Sequence, residues 1–122
     1  MPSAINLDTH ILVDGLLGSL RPREARLIRR HPAGISAIVL WEIAKLHQKG
    51  RITLSLGHPE FIKWLSRIHV SPIDLEVCSR LNDLDFRGDP ADELVAATSL
   101  AHNVPLLTRD DCILKSRKVP LV

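Results

Sequence analysis

Ala4-Ile5-Asn6-Leu7-Asp8-Thr9-His10-Ile11-Leu12-Val13 is a short apolar run that halts on an acid and resumes with a different spacing. Residues 4–7 read as a buried strand, and His10 to Val13 with Leu16 and Leu17 as a helix stopping near Gly18. A strand therefore delivers Asp8 to the start of a helix.

The same alternation continues down the chain. Pro22 suits a helix's first turn, and Arg23 to Arg30 forms a basic helix ending before Pro32. Gly34 to Ser36 reads as a second strand, with Ser36 the N-cap of a helix from Ile38 to about Gln48, closed by Gly50. Residues 51–59 connect to a helix over Glu60–Ile68 and a strand over His69–Ile73, which Pro72 confines to an edge or strand end. Leu75–Leu84 reads as helical, 85–90 as a loop, Ala91–His102 as a buried helix and Val104–Thr108 as a buried strand. A short helix near Cys112 to Leu114 precedes a terminal edge strand at Val119–Val122. Apolar strands alternating with helices predict an α/β fold: a three-layer sandwich around a mostly parallel sheet of four to five short strands, helices on both faces. In such sheets functional groups collect beyond the strands' carboxyl ends.

The composition suits one domain over residues 1–122, since 45% hydrophobic and 25% charged residues suffice for a core. No apolar run reaches the roughly 20 residues of a membrane helix, and the N-terminal segment lacks the pattern of a secretory signal. A cytoplasmic protein without membrane attachment is expected. Cys78 and Cys112 form no C-x-x-C pair and read as small buried hydrophobes or free thiols.

Four carboxylates adjoin core-forming segments: Asp8, Glu42 within Ile38-Val39-Leu40-Trp41-Glu42-Ile43-Ala44, Asp92, and Asp110 after Pro105-Leu106-Leu107-Thr108. An ionised carboxylate in a low-dielectric setting needs a partner. Singly, each has a structural explanation. Asp8 caps a helix with Thr9, Asp89 caps another before Pro90, Asp110 starts a turn with Asp111, and Glu42 pairs with a distant Arg or Lys. Together, acids delivered to one sheet edge suggest one shared cation, and hard oxygen donors without a Cys or His pair favour Mg²⁺ or Mn²⁺ over zinc. With five of the 14 acids, Asp89 included, drawn into one pocket, nine remain against 16 Lys and Arg. A basic exterior around an acidic cleft suits a polyanionic substrate, while the charge by itself equally fits a mildly basic soluble protein with no nucleic-acid role.

These segments resemble, end to end, the PIN-domain ribonucleases, and specifically VapC-type toxins of type II toxin–antitoxin systems. Asn6 to His10 resembles that family's first acidic strand end, Ser36 to Ile43 its serine-to-glutamate helix, Asp89 to Asp92 with Ala96 to Ala101 its third acidic segment, and Val104 to Asp110 its last. The resemblance implies Mg²⁺- or Mn²⁺-dependent endonucleolytic cleavage of RNA. It also implies a homodimer and a cognate VapB-type antitoxin that occludes the cleft. Carried over, Asp8, Glu42, Asp92 and Asp110 are the catalytic acids, Asp8 and Asp92 the metal ligands and Asp89 an auxiliary acid. Thr9, Ser36 and Thr108 become supports of the ligands, though each also reads as a cap. Many members carry Arg after the third acid, where this chain has Glu93; it is expected to face away as a favourable first-turn acid.

Arg23, Arg26 and Arg30, spaced along one helix face, read either as RNA-backbone contacts or as a solvated face partly neutralised by Glu24. Lys45, Lys49 and Arg51 extend basic surface past the Glu42 helix, and Arg109, Lys115, Arg117 and Lys118 form another basic group. With four aromatic rings and no Tyr, stacking has few candidates. Trp41 reads as core, Phe61 and Trp64 as a dimer or antitoxin surface, and the six histidines, lacking ligand spacing, as non-catalytic. Two other functions compete. One is a catalytically weak PIN-like module binding RNA or protein. The other is a phosphoryl-transfer domain, disfavoured because His10 stands where a phosphatase needs a second Asp and Asp8 lacks a receiver's paired acid.

Overall fold

The first apolar run becomes strand β1 (Ile5–Leu7), wholly buried in the interior of the sheet. The computed structural model describes residues 4–122. Helices α1 (Thr9–Leu17) and α2 (Pro22–Arg30) lead to β2 (Ala33–Ser36); α3 (Ala37–Gln48) and α4 (Pro59–Leu65) lead to β3 (His69–Ser71). Helix α5 (Leu75–Ser79), a 3₁₀ turn over Arg80–Asp83 and α6 (Pro90–His102) precede β4 (Leu106–Leu107) and α7 (Asp111–Leu114).

The four strands are ordered β3-β2-β1-β4, and every pairing is parallel. From β1 to β3 the chain steps one way across the sheet, then returns over it to β4. Right-handed crossovers put the helices of those two excursions on opposite faces. The direction reverses between β1 and β4, so the crevice beyond their carboxyl ends is the expected binding place. Asp8 follows β1, and Asp110 lies three residues beyond β4.

Several elements are shorter than their apolar runs suggest, and the causes are local. Pro105 has no N–H to pair, and Thr108 turns its hydroxyl to Asp8, so β4 keeps only two residues. Strand β3 ends before Pro72, and the expected 75–84 helix tightens into a 3₁₀ turn after Ser79. The expected helix over 60–68 stops at Leu65, capped by Ser66. The terminal edge strand is reduced to one parallel bridge, Leu106 to Leu121. Where β2 meets β3, a Cβ on Gly34 would lie 3.1 Å from the His69 carbonyl oxygen, so a larger residue would push the two backbones apart.

Ile5, Leu7, Ile35, Val39, Ile43, Val95, Ala96 and Leu106 form the centre of the core. At roughly 1.5–3 kcal/mol per buried large aliphatic side chain, this cluster drives the collapse. Within it Asn6 is a polar rivet: its Nδ2 donates to the Val95 carbonyl at 3.2 Å and to Ser99 Oγ at 2.9 Å, tying β1 to α6. Helix α3 packs against both α1 and α6 and so links the elements that carry the acids.

Four side chains depart from their sequence reading. Phe61 is 1% exposed and belongs to the core, leaving no surface patch to share with Trp64. Trp41 is 54% exposed, because α3 buries only Val39 and Ile43 fully and its apolar pattern runs wider than its buried stripe. Cys78 and Cys112 are free thiols, but exposed rather than buried. No helix among the described residues is long and apolar enough to cross a membrane.

Candidate metal centre

Asp8, placed by the end of β1, caps α1 and is 4% exposed. Its Oδ1 accepts from the Thr9 amide at 2.8 Å and its Oδ2 from the Thr108 hydroxyl at 2.6 Å. Thr108 Oγ1 in turn accepts from the Asp110 amide at 3.0 Å, so one hydroxyl couples the ends of β1 and β4. Asp110 also caps α7, accepting from the Ile113 amide at 3.0 Å. Thr9 adds a second contact: its hydroxyl donates to Glu42 Oε1. Ser36 is fully buried, and its Oγ makes no hydrogen bond to an acid; it accepts from the Ile38 amide at 3.2 Å and caps α3.

Asp89 caps α6, accepting from the Asp92 amide at 2.9 Å, and Pro90 occupies the first turn. The free amides and dipole of this 13-residue helix favour negative charge there. Glu93 Oε2 accepts from the Gly88 amide at 3.1 Å, and its side chain is absent from the lining of the acidic cavity.

Asp8, Glu42, Asp89, Asp92 and Asp110 line one cavity of about 470 Å³, joined by Asp14, His10 and Arg109. Six carboxylates thus face one permanent cation, and that cation is already engaged. Arg109 Nη1 lies 2.6 Å from Asp14, while its Nε and Nη2 lie 2.8 and 2.5 Å from the two oxygens of Glu24. The forked pair holds the Glu24 carboxyl below its usual range, chiefly through the Arg109 hydrogen bond. Glu24 therefore neutralises Arg109 and not the Arg23, Arg26 and Arg30 stripe, and Arg109 adds no free positive surface beside Asp110.

The remaining acids repel one another. Burial, then the charges of Asp89, Asp8, Asp110 and Glu42, push Asp92 up to about 7. Glu42 is also raised, first by burial, despite its bond from Thr9. Such a set is unfavourable as bare anions and suits a hard divalent cation. One oxygen from each of Glu42, Asp89 and Asp92 falls within 4.8 Å of the other two. Of the two ligands expected from sequence, Asp92 belongs to this group. Asp8 stands outside it, both oxygens hydrogen-bonded, yet near enough to raise Glu42 and Asp92.

Sequence reasoning missed His10 and Asp14. His10 lies two residues beyond Asp8, and Asp14 follows His10 at i, i+4 spacing on α1, which puts the pair on one helix face toward the cavity. Arg23, Arg26 and Arg30 do not line the cavity; Arg23 Nη2 instead donates to the Val122 carbonyl at 3.0 Å.

Residues 5–117 match the family model described as PIN domain. Among solved structures, the fold is similar to VapBC2 from Rickettsia felis, bound to a promoter DNA fragment, with TM-score 0.75 and 19% identity over 98% of this chain and 97% of that one. It is similar to FitAcB from Neisseria gonorrhoeae, with TM-score 0.67 and 20% identity over 96% and 95%. A toxin–antitoxin complex from Klebsiella pneumoniae gives TM-score 0.64 and 20% identity over 91% of each chain. No curated protein matches the sequence significantly. At these identities the likeness is one of fold.

Proposed function

The chain belongs to the PIN domain family, and from that premise we propose that it is a Mg²⁺- or Mn²⁺-dependent endoribonuclease, the toxin of a toxin–antitoxin pair. The observation that carries the reading is the cavity in which six carboxylates face one already neutralised arginine, with Asp92 pushed to about 7.

Glu42, Asp89 and Asp92 would hold the ion, with Asp8 and Asp110 adding negative field from the ends of β1 and β4. A divalent ion there supplies a water of lowered pKa and offsets charge on the phosphodiester. The chain's own residues fix the geometry. Thr9 and Thr108 lock the Asp8 carboxylate, and Thr9 also holds Glu42. Asp89 sets the first turn of α6 from which Asp92 projects. Ligands held this way need little reordering on binding, which favours affinity and orientation.

One solved structure of similar fold is described as a toxin–antitoxin complex, which supports a VapB-type antitoxin as partner. Homodimerisation is part of the same reading, and Leu75, 86% exposed, offers apolar surface for it. Purified protein is expected to cut structured RNA with Mn²⁺ or Mg²⁺, to stop with chelator, and to lose cutting in Asp8→Asn and Asp92→Asn. Undiminished cleavage by both variants would refute the assignment. Equal RNA affinity with metal and with chelator, without cleavage, would favour the binding-module alternative.

A further inference from the structure

We propose that Trp41 is a stacking platform for a base of single-stranded RNA, with Lys45, Lys49 and Arg51 holding the adjoining phosphates. The inference rests on the reading of RNA as substrate and adds how it is gripped.

The chain has four aromatic rings. Phe61 is buried and Phe86 and Trp64 are half-buried, so Trp41 alone presents an exposed ring. It immediately precedes Glu42, and Lys45 stands one turn further along α3, its Nζ 6.0 Å from the ring centroid. The ring, these cations, Glu42 and Asp89 line a second cavity of about 320 Å³. Glu42 and Asp89 also line the acidic cavity, so the two spaces adjoin. Among the described residues, none of Lys45, Lys49 and Arg51 is in a salt bridge. Charge thus changes sign along one surface, from cations held by no carboxylate around an exposed indole, Lys45 donating only to Gln48 Oε1, to the carboxylate group. A single strand satisfies both ends, with a π-face on the indole, phosphates on the cations and the next phosphodiester at the acids. Trp41 is not among the acids proposed to hold the ion, so its contribution is separable from metal binding.

The test uses the full chain carrying Asp92→Asn, chosen to prevent turnover, and a 5′-labelled single-stranded RNA read by anisotropy. Trp41→Ala is expected to weaken binding roughly tenfold, within the range for one lost base stack. Trp41→Phe should stay within about threefold, because a ring remains. In a Trp64→Phe background the single remaining indole should be quenched by RNA. Replacing Lys49 and Arg51 by Gln should flatten the salt dependence of log K by about 1.4, as for two phosphate contacts to a single strand. With Asp92 intact, Trp41→Ala should keep the Mn²⁺-dependent thermal shift, excluding misfolding as the cause. Unchanged affinity in Trp41→Ala overturns the proposal. So does indole emission that ignores RNA but follows protein concentration, which would mean a second copy covers the ring. Cleavage with unchanged KM in Trp41→Ala sinks the platform and leaves the nuclease. Trp41-dependent binding without cleavage in any metal sinks the nuclease and leaves the platform.

Discussion

Asp92→Asn is expected to make the metal-free protein more stable, and the size of the gain follows from the cavity. Asp92 titrates near 7 instead of 3.8, mainly through burial and then Asp89 and its other acidic neighbours. A gap of about three units corresponds to roughly 4 kcal/mol against the charged form. Because the carboxyl is only partly buried, solvent screening reduces this to about 2 kcal/mol, and losing a favourable charge at the start of α6 removes ~0.5 kcal/mol. The sign is fixed by the raised folded-state value. The native protein binds this proton more tightly than the unfolded chain, so the cost is absent below about pH 4, grows towards pH 7 and is complete above it. Near pH 8 with chelator, Asp92→Asn should melt roughly 5 °C above wild type, and at pH 4 the two should converge. Saturating Mn²⁺ should reverse the order, since only the wild-type acid set gains binding energy that the unfolded chain lacks. Calorimetry across pH 4–8, with and without Mn²⁺, reads all three arms. A variant less stable than wild type at pH 8 in chelator, or a gap independent of pH, would refute a repulsive, cation-seeking cluster.

Other residues give further outcomes. Arg109→Met strands Glu24, 5% exposed, and should cost about 3 kcal/mol in urea unfolding, with Glu24→Gln restoring part of it in a double-mutant cycle. Because Glu24 is held below its usual value, its stabilisation is complete above about pH 4.5 and is lost as pH falls through the depressed value; Glu24→Gln should therefore blunt the acid limb of the stability profile. Thr108→Val breaks the link between Asp8 and Asp110 and should lower Mn²⁺ affinity or cleavage about 10- to 100-fold while the far-UV spectrum stays native. Asn6→Ala removes the donor to Val95 and Ser99 and should cost about 2 kcal/mol in denaturant unfolding.

The fold was legible wherever an apolar run and its punctuation agreed. Ile5–Leu7 stops at an acid that caps the next helix, and Ser36 and Asp89 stand at helix starts where their side chains accept amide bonds. Boundaries failed where backbone chemistry overrode side-chain pattern. Leu106–Leu107 lost both flanks to a proline and to a threonine recruited by Asp8, and neither loss alters the hydrophobicity of the run. Arg109 escaped for another reason. Its partners Asp14 and Glu24 lie 95 and 85 residues earlier in the chain, and no local spacing links them.

The acids themselves could be found because burying charge is costly enough to mark a sequence, but their grouping could not be read to the same depth. Strand order decides which acids meet: β1 beside β4 brings Asp8 to Thr108 and Asp110, while α3 on α6 brings Glu42 to Asp89 and Asp92. In the first grouping the Asp8 carboxylate accepts two hydrogen bonds, from the Thr9 amide and the Thr108 hydroxyl, and the Asp110 carboxylate accepts one. The second has only one such bond to each of Glu42 and Asp89, and it carries the larger electrostatic strain. Strain of this kind concentrates where a cation can relieve it, so binding should centre on α3 and α6, with Asp8 shaping the field. The position of Trp41 has the same origin. A helix that turns Val39 and Ile43 into the core and Glu42 toward the acids leaves residue 41 facing outward, and an indole there stands beside the acidic cluster without joining it.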